Sequence, residues 1–204
     1  MLLVAIDGGS GKSAVVVLRC KPGKLPEVME EAYLDNEAVE AWLRAKSCNF
    51  DVVVYEAIVS YGGAGAEVIQ TAYFNGRFHN CVDKDTTVCA IERRTVKKIL
   101  FGSVTGNDSA VRKHILAMYG QKSTTGKNNP LEGITSHKIQ AMAVGITYNI
   151  LHEEDRLSEL WDPHYTDSDA FADKRTERRV KNKAKTERKA KVGDPARFSG
   201  KLKE

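Results

Sequence analysis

Two single carboxylates each follow a short apolar run, and they are the residues of this sequence best placed to do chemistry. Asp7 ends the run over residues 2–6, and Glu56 ends the run over residues 52–55. A run that is apolar throughout is typical of a strand covered on both faces of a sheet. Burying a carboxylate at the end of such a strand is costly unless a cation compensates it. The pattern therefore predicts a metal ion or a basic group beside these acids.

The glycine-rich stretch over residues 8–11, directly after Asp7, allows two other interpretations. In the first, Asp7 only caps the turn by accepting hydrogen bonds from the glycine amides. In the second, Gly11-Lys12-Ser13 ends a phosphate-binding loop, but that motif requires a glycine where the chain has Ile6. The first alternative stays open, whereas the second does not fit the spacing.

The elements around the two acids are predicted to bring them to one sheet edge. Residues 2–6 and 14–18 form a hairpin in this interpretation, residues 27–34 add a third strand, and residues 52–55 return as a parallel strand. Asn36 is the predicted N-cap of the helix over residues 37–46 that connects them. Because ligands gather at the carboxyl ends of parallel strands, Asp7 and Glu56 should share a site.

The second half of the chain is predicted to contain a further strand and several helices. The strand covers residues 86–91, and basic and apolar residues alternate at helical spacing over residues 93–102. Three helices are predicted over residues 66–77, with Val68, Ile69, Ala72 and Tyr73 on one face, over residues 111–119, and over residues 139–151, with Ser136 as N-cap and His137 in the first turn.

Composition separates an acidic body from a basic tail. The chain has 204 residues, and residues 174–204 hold 13 Lys/Arg and 4 Asp/Glu, a net charge of +9 against −5 for the remainder. A basic tail is typical of a protein that binds a polyanion, or of a disordered chain end that is only solvated. The four cysteines are scattered and predict reduced thiols, and we find neither a signal peptide nor a membrane span, so a cytoplasmic protein is expected.

Six short motifs occur in an order that is typical of one family. They are Ala-Ile-Asp-Gly-Gly at 5–9, Val-Tyr-Glu at 54–56, Asn-Gly-Arg at 75–77, Arg-Arg-Thr-Val-Lys-Lys at 93–98, Thr-Gly-Asn-Asp-Ser-Ala at 105–110, and Ala-Met-Ala-Val-Gly at 141–145. On these motifs the sequence resembles the RuvC-type crossover junction endonucleases, and more closely their bacteriophage relatives. The resemblance covers roughly residues 1–152.

The resemblance implies an α/β fold of the ribonuclease H-like type, a mixed five-stranded sheet flanked by helices. This nuclease domain would cover residues 1–152, followed by an acidic helical or linker segment over residues 153–173 and the basic, disordered tail over residues 174–204. It also implies metal ligands at the sheet edge. Asp7 and Glu56 match the first two, and His137 and Gln140 stand where the family has a pair of acids. We therefore expect Asp7, Glu56 and His137 to bind the metal.

The resemblance further assigns the basic residues and the loop after Glu56. Lys97, with Lys98 beside it, matches a lysine that meets the scissile phosphate, and Tyr61 is expected to stack on an unpaired base at the junction. A rival third acid, Asp169, lies in a similar Asp-Ala-x-Ala motif, but the residues after it lack an apolar period. The simpler interpretations are a capping histidine, solvated lysines and an ordinary mobile loop.

The activity implied is metal-dependent hydrolysis of branched DNA, with Mg²⁺ expected and Mn²⁺ accepted because of the histidine. Two ions bridged by Asp7 would hold the attacking and leaving oxygens. The partners are four-way junctions and a second copy of the chain, since the junction has two-fold symmetry; no nucleotide cofactor is expected. Two alternatives stay open: a branched-DNA-binding protein that cuts weakly or not at all, and an ATP-binding fragment related to actin and Hsp70, which the length disfavours.

Overall fold

The computed structural model describes residues 1–59 and 64–160, and Met1–Leu160 forms one unit. Its five strands are β1 Leu2–Asp7, β2 Lys12–Arg19, β3 Glu27–Asp35, β4 Val52–Ala57 and β5 Thr87–Glu92. Its five α-helices are α1 Asn36–Lys46, α2 Ala66–Cys81, α3 Arg93–Phe101, α4 Asp108–Met118 and α5 His137–Glu153, with short 3-10 helices at Ser47–Asn49 and Leu157–Leu160. Tyr61, Asp169 and the basic tail lie outside the described residues.

The sheet is mixed, as the sequence predicts. Its strand order is β3-β2-β1-β4-β5. The strands β1 and β2 form the antiparallel hairpin, β3 pairs antiparallel with β2, and β4 and β5 run parallel to β1. Ile6 of β1 lies opposite Tyr55 of β4. The carboxyl ends of β1, β4 and β5 therefore meet at one edge, where Asp7 and Glu56 lie.

Strand β1 lies inside a sheet that helices cover on both faces. Its central residues are fully buried and alternate between two apolar clusters, because neighbouring side chains of a strand point to opposite faces. Leu3 and Ala5 face α3, α4 and α5, whereas Val4 and Ile6 face α1 and α2. A continuous apolar run is what a strand with two buried faces requires.

Helix α5 lies very close to the sheet because of Gly145. A Cβ at this position would lie 2.5 Å from Leu18 Cδ1, 3.0 Å from Ala5 Cβ and 3.1 Å from Leu3 Cδ2. Residues 139–149 of the helix are all buried. This close packing fixes the first turn of α5, and with it His137, relative to the end of β1.

The predicted N-cap of α1 needs correction. Asn36 is the first residue of α1 rather than its N-cap, which is Asp35. The buried Asn36 side chain instead donates from Nδ2 to the Gly9 carbonyl oxygen at 2.9 Å and accepts from Ser13 Oγ at 2.6 Å, so it holds the loop after Asp7. At Ser136 the predicted cap position is right, but its side chain makes no capping hydrogen bond.

Helix α2 continues to Cys81, beyond the predicted end at residue 77, and it buries a different face. Ile69 and Tyr73 are 61% and 58% exposed, whereas Phe74 and Phe78 pack in the core. The helix carries apolar residues on both sides, so periodicity alone could not choose the buried one. All four cysteines are free, and no helix of the described residues is long and apolar enough to cross a membrane.

Candidate active site

Asp7 and Glu56 lie side by side on the sheet edge, and both are largely buried. Their side chains are 12% and 11% exposed. Burial raises the pKa of Asp7, against the lowering effect of the hydrogen bond and charge of His137 and of the charge of Arg93. Burial also raises the pKa of Glu56, with Arg93 opposing and the charge of Asp7 adding to it. Burial therefore disfavours the charged form of both acids, and a bound cation would offset that cost.

His137 joins Asp7 from the first position of α5. Its Nδ1 atom lies 3.0 Å from Asp7 Oδ2, although 130 residues separate them in sequence. The imidazole is 57% exposed, so one side of the ring faces solvent. The structure brings Asp7 and His137 together at the sheet edge, and their role as metal ligands stays a prediction.

Strand β3 supports His137 from the side. The Tyr33 ring stacks on the imidazole, with centroids 5.3 Å apart and planes inclined by 4°. Tyr33 pairs with Ala14, which in turn pairs with Asp7, so the three residues form one row across the sheet. Next to this stack, Lys138 bonds to Glu31 of β3. Sequence reasoning missed Tyr33, because only the strand register brings it into the same row as Asp7.

Arg93 fills the space beside Glu56. Its Nη1 donates to Glu56 Oε2 at 2.7 Å, and its Nη2 donates to Gln140 Oε1 at 3.1 Å and to Asp108 Oδ1. Burial would lower the pKa of Arg93, but the charges of Glu56 and Asp108 outweigh it and raise that pKa. Arg93 directly follows β5, whose carboxyl end lies at the same edge. The strand-end rule that found the two acids could therefore have found Arg93.

Asn75 of α2 contacts the backbone at the end of β4 and at the turn after β1. Its Nδ2 donates to the Glu56 carbonyl oxygen at 2.9 Å. Its Oδ1 is buried without a hydrogen-bond partner and lies so close to Gly8 that a Cβ there would collide with it. Glycine at position 8 is therefore needed for the close approach of α2 to the turn that follows Asp7.

The predicted lysines lie on α3 but do not contact the acids in this conformation. Lys97 Nζ donates to the Gly106 carbonyl oxygen at 2.7 Å. Lys97 stands one helical turn after Arg93, on the same face of α3. The exposed Lys98 lies on a neighbouring face. Both lysines therefore lie on the helix that begins with Arg93 at the site edge.

The fit of a divalent ion can be tested on the positions of these donors. In the part of the chain that the structure describes, no three His, Cys, Asp or Glu side chains are grouped to hold a metal as they stand. Two cis ligands, each about 2.1 Å from an ion, lie about 3 Å apart. The Asp7–His137 spacing of 3.0 Å matches that separation. These two side chains fit one ion, while Glu56 is turned toward Arg93.

Comparison with known proteins supports the fold. No protein-family model matches the chain, and no curated protein matches it. Among solved structures, Thermus thermophilus RuvC is similar with a TM-score of 0.61 and 14% identity, over 76% of this chain and 98% of that one. The same protein in complex with a Holliday junction substrate gives a TM-score of 0.59 and 16% identity, over 76% and 97%. The chain thus has the fold of RuvC, the ribonuclease H-like fold that its motif order predicts.

Proposed function

We propose that this protein is a metal-dependent endonuclease that cuts four-way and other branched DNA. The observation that carries the proposal is the contact between Asp7 and His137, 3.0 Å apart at the sheet edge where Glu56 also lies. The RuvC fold supports it, and a solved RuvC complex holds a Holliday junction substrate. The bacteriophage branch stays a prediction from the motifs.

The metal proposed is Mg²⁺, with Mn²⁺ accepted, held by Asp7 and His137 at the edge where Glu56 also lies. When bound, such an ion lowers the pKa of an attacking water and stabilises charge on the leaving oxygen. Asp7 supplies a carboxylate held rigidly by the buried end of β1. His137 supplies an imidazole nitrogen, and the Tyr33 ring stacks on that imidazole. Lys97 and Arg93 supply positive charge for the DNA phosphate.

Branched DNA is the proposed substrate because the charges and symmetry suit it. Lys97 and Lys98, together with the basic tail, would make salt-sensitive phosphate contacts. Tyr61 is proposed to stack on an unpaired base. A symmetric homodimer would present two sites to the two opposed strands of a four-way junction. Light scattering of the purified protein, alone and with junction DNA, measures whether the active form is that dimer.

The test is cleavage of a labelled four-way junction by the purified full chain in Mg²⁺ and in Mn²⁺. Asp7→Asn should abolish cleavage and leave junction binding largely intact, because it removes a metal-binding charge and little packing. Asp85→Asn is the matched control, since Asp85 is exposed and precedes β5 at the opposite edge of the sheet. Normal cleavage by Asp7→Asn would contradict the assignment of the site.

A second candidate is a branched-DNA-binding protein of the same fold that does not cut. It is favoured by one observation, that Arg93 already bonds to Glu56 and Gln140. Tight junction binding with no cleavage in either metal would support this candidate. Cleavage that depends on Asp7 would exclude it.

A further inference from the structure

Arg93 stands where four elements of the fold meet. It is the first residue of α3, and its guanidinium reaches oxygen atoms of β4, α5 and α4, namely Glu56 Oε2, Gln140 Oε1 and Asp108 Oδ1. Three converging oxygen atoms are a setting that suits a cation. In this chain the Arg93 guanidinium is that cation. We propose that Arg93 is a built-in cation of the active site that takes the place of a second divalent ion.

The inference rests on the proposed nuclease function, and it states how that site is charged. One divalent ion would bind at Asp7 and His137, and the guanidinium would serve the Glu56 side of the same site. A second divalent ion beside Glu56 would be repelled by the guanidinium, because an arginine does not lose its proton in proteins. Arg93 therefore excludes the second ion rather than competing with it reversibly.

Gln140 makes the arrangement consistent. It is 7% exposed and offers Arg93 a neutral amide oxygen at 3.1 Å. A carboxylate there would add a third negative charge around one guanidinium and leave a surplus for a further cation. With glutamine the local charge is that of Glu56 and Asp108 against Arg93. The neutral Gln140 and the charged Arg93 thus complement each other in the site.

The Arg93 guanidinium is also able to bind a phosphate. Its side chain is 30% exposed, while Glu56 is 11% exposed behind it. A planar guanidinium has five N–H donors, so contacts to Glu56, Gln140 and Asp108 do not exhaust it. The buried Val96 and Leu100 anchor α3, and α3 begins directly after β5, so Arg93 is held on a rigid element. Arg93 is therefore proposed to touch the substrate phosphate.

The deciding measurement is the number of Mn²⁺ ions bound per full chain without DNA, by electron paramagnetic resonance and calorimetry. The wild type should bind one ion, and Asp7→Asn should lose it. The double variant Arg93→Met with Gln140→Glu should bind two. Lys113→Met, an exposed lysine of α4, is the control for loss of one positive charge and should bind one.

The outcomes separate this inference from the nuclease proposal. Two ions in the wild type would overturn the role of Arg93 while leaving the nuclease proposal standing. No bound ion in the wild type would contradict the metal-dependent nuclease itself. One ion in the wild type and two in the double variant would support both.

Cleavage adds a second readout on the same residue. Arg93→Met should slow single-turnover junction cleavage by on the order of 100-fold, the usual effect of removing one preorganised charge donor. Arg93→Lys keeps the charge without the planar fork and should recover part of the rate. Circular dichroism checks that both variants fold. Equal rates for the wild type and a folded Arg93→Met variant would overturn the inference.

Discussion

The Asp7–His137 half and the Glu56–Arg93 half of the site are built in opposite ways. In the first, a buried carboxylate meets an imidazole that is 57% exposed and makes one hydrogen bond to it. In the second, a buried carboxylate meets a guanidinium that bonds to three acceptors. In the proposed site, an ion would replace the single Asp7–His137 hydrogen bond of the first half. In the second half it would have to displace a permanent positive charge.

This difference follows from the elements that carry the two cationic groups. His137 starts α5, whose packing at Gly145 sets its distance from β1. Arg93 starts α3 with no intervening loop after β5, so its guanidinium extends along the sheet edge toward Glu56. Two acids placed by the same strand-end rule thus acquire different partners. One half is open to an ion, and the other has its cation within the chain.

The largest effect is expected from His137→Ala, which should break the open half alone. Mn²⁺ affinity and junction cleavage should fall together by more than about 100-fold, the upper end for loss of a group that only supports a metal ligand. His79→Ala is the control, since His79 is exposed in the last turn of α2. Calorimetry and gel-based cleavage measure both. Unchanged Mn²⁺ affinity in His137→Ala would show that the imidazole is no ligand.

A smaller effect in the same half is expected from Tyr33→Leu. The variant keeps an apolar side chain on β3 but loses the ring that lies parallel to the imidazole. Mn²⁺ affinity should fall by about 10-fold, as for other groups that orient a ligand, while junction affinity changes little. Tyr73→Leu on α2 is the matched control, since that ring is exposed and α2 packs in the apolar cluster on the sheet face opposite α5. A loss of junction binding with unchanged Mn²⁺ affinity would instead assign Tyr33 to the DNA.

The sequence predicted the first half of the site better than the second. Asp7 and Glu56 are local signals, because an acid that ends an apolar run can be seen in a window of seven residues. His137 came from motif order alone. The position of Arg93 after β5 could have been found by the same strand-end rule, but its partners could not, because Glu56 and Asp108 lie 37 and 15 residues away. Long-range side-chain pairing is not encoded in any local pattern.

The fold was predicted in its strands and less well in its helices. Strands β1, β2 and β4 contain short continuous apolar runs rich in β-branched residues, which favour buried strands. For α2 the sequence offered Ile69 and Tyr73 as readily as Phe74 and Phe78, and only the contact with β4 and α1 decides between them. Asn36 similarly matched a capping residue, but its buried amide serves the loop at Gly9. Polar residues that bond across elements cannot be assigned from one segment.

The shared support of both halves can be tested with Gly145→Ala. Helix α5 carries both His137 and Gln140, and the added methyl group would press on Leu18 and lower the free energy of unfolding by about 1–3 kcal/mol. Gly76→Ala is the control, because a Cβ there meets no atom within 4 Å, and it should stabilise α2 by up to about 1 kcal/mol. Urea unfolding measures both. Equal effects of the two variants would show that α5 has room to move away from the sheet.

The smallest effect compares the two acids through their pKa values. Burial raises the pKa of Asp7 above its usual 3.8, so the folded state binds that proton more tightly than the unfolded state. The favourable contribution is present below pH 3.8 and is lost as the pH rises through the raised value. Asp7→Asn should therefore raise the melting temperature at neutral pH, and this gain should vanish below pH 3.8. Glu56→Gln should give a smaller gain, because Arg93 already offsets the Glu56 charge. Calorimetry from pH 3 to pH 8 measures the difference, and a larger gain at Glu56 would mean that Arg93 compensates its carboxylate less than His137 compensates Asp7.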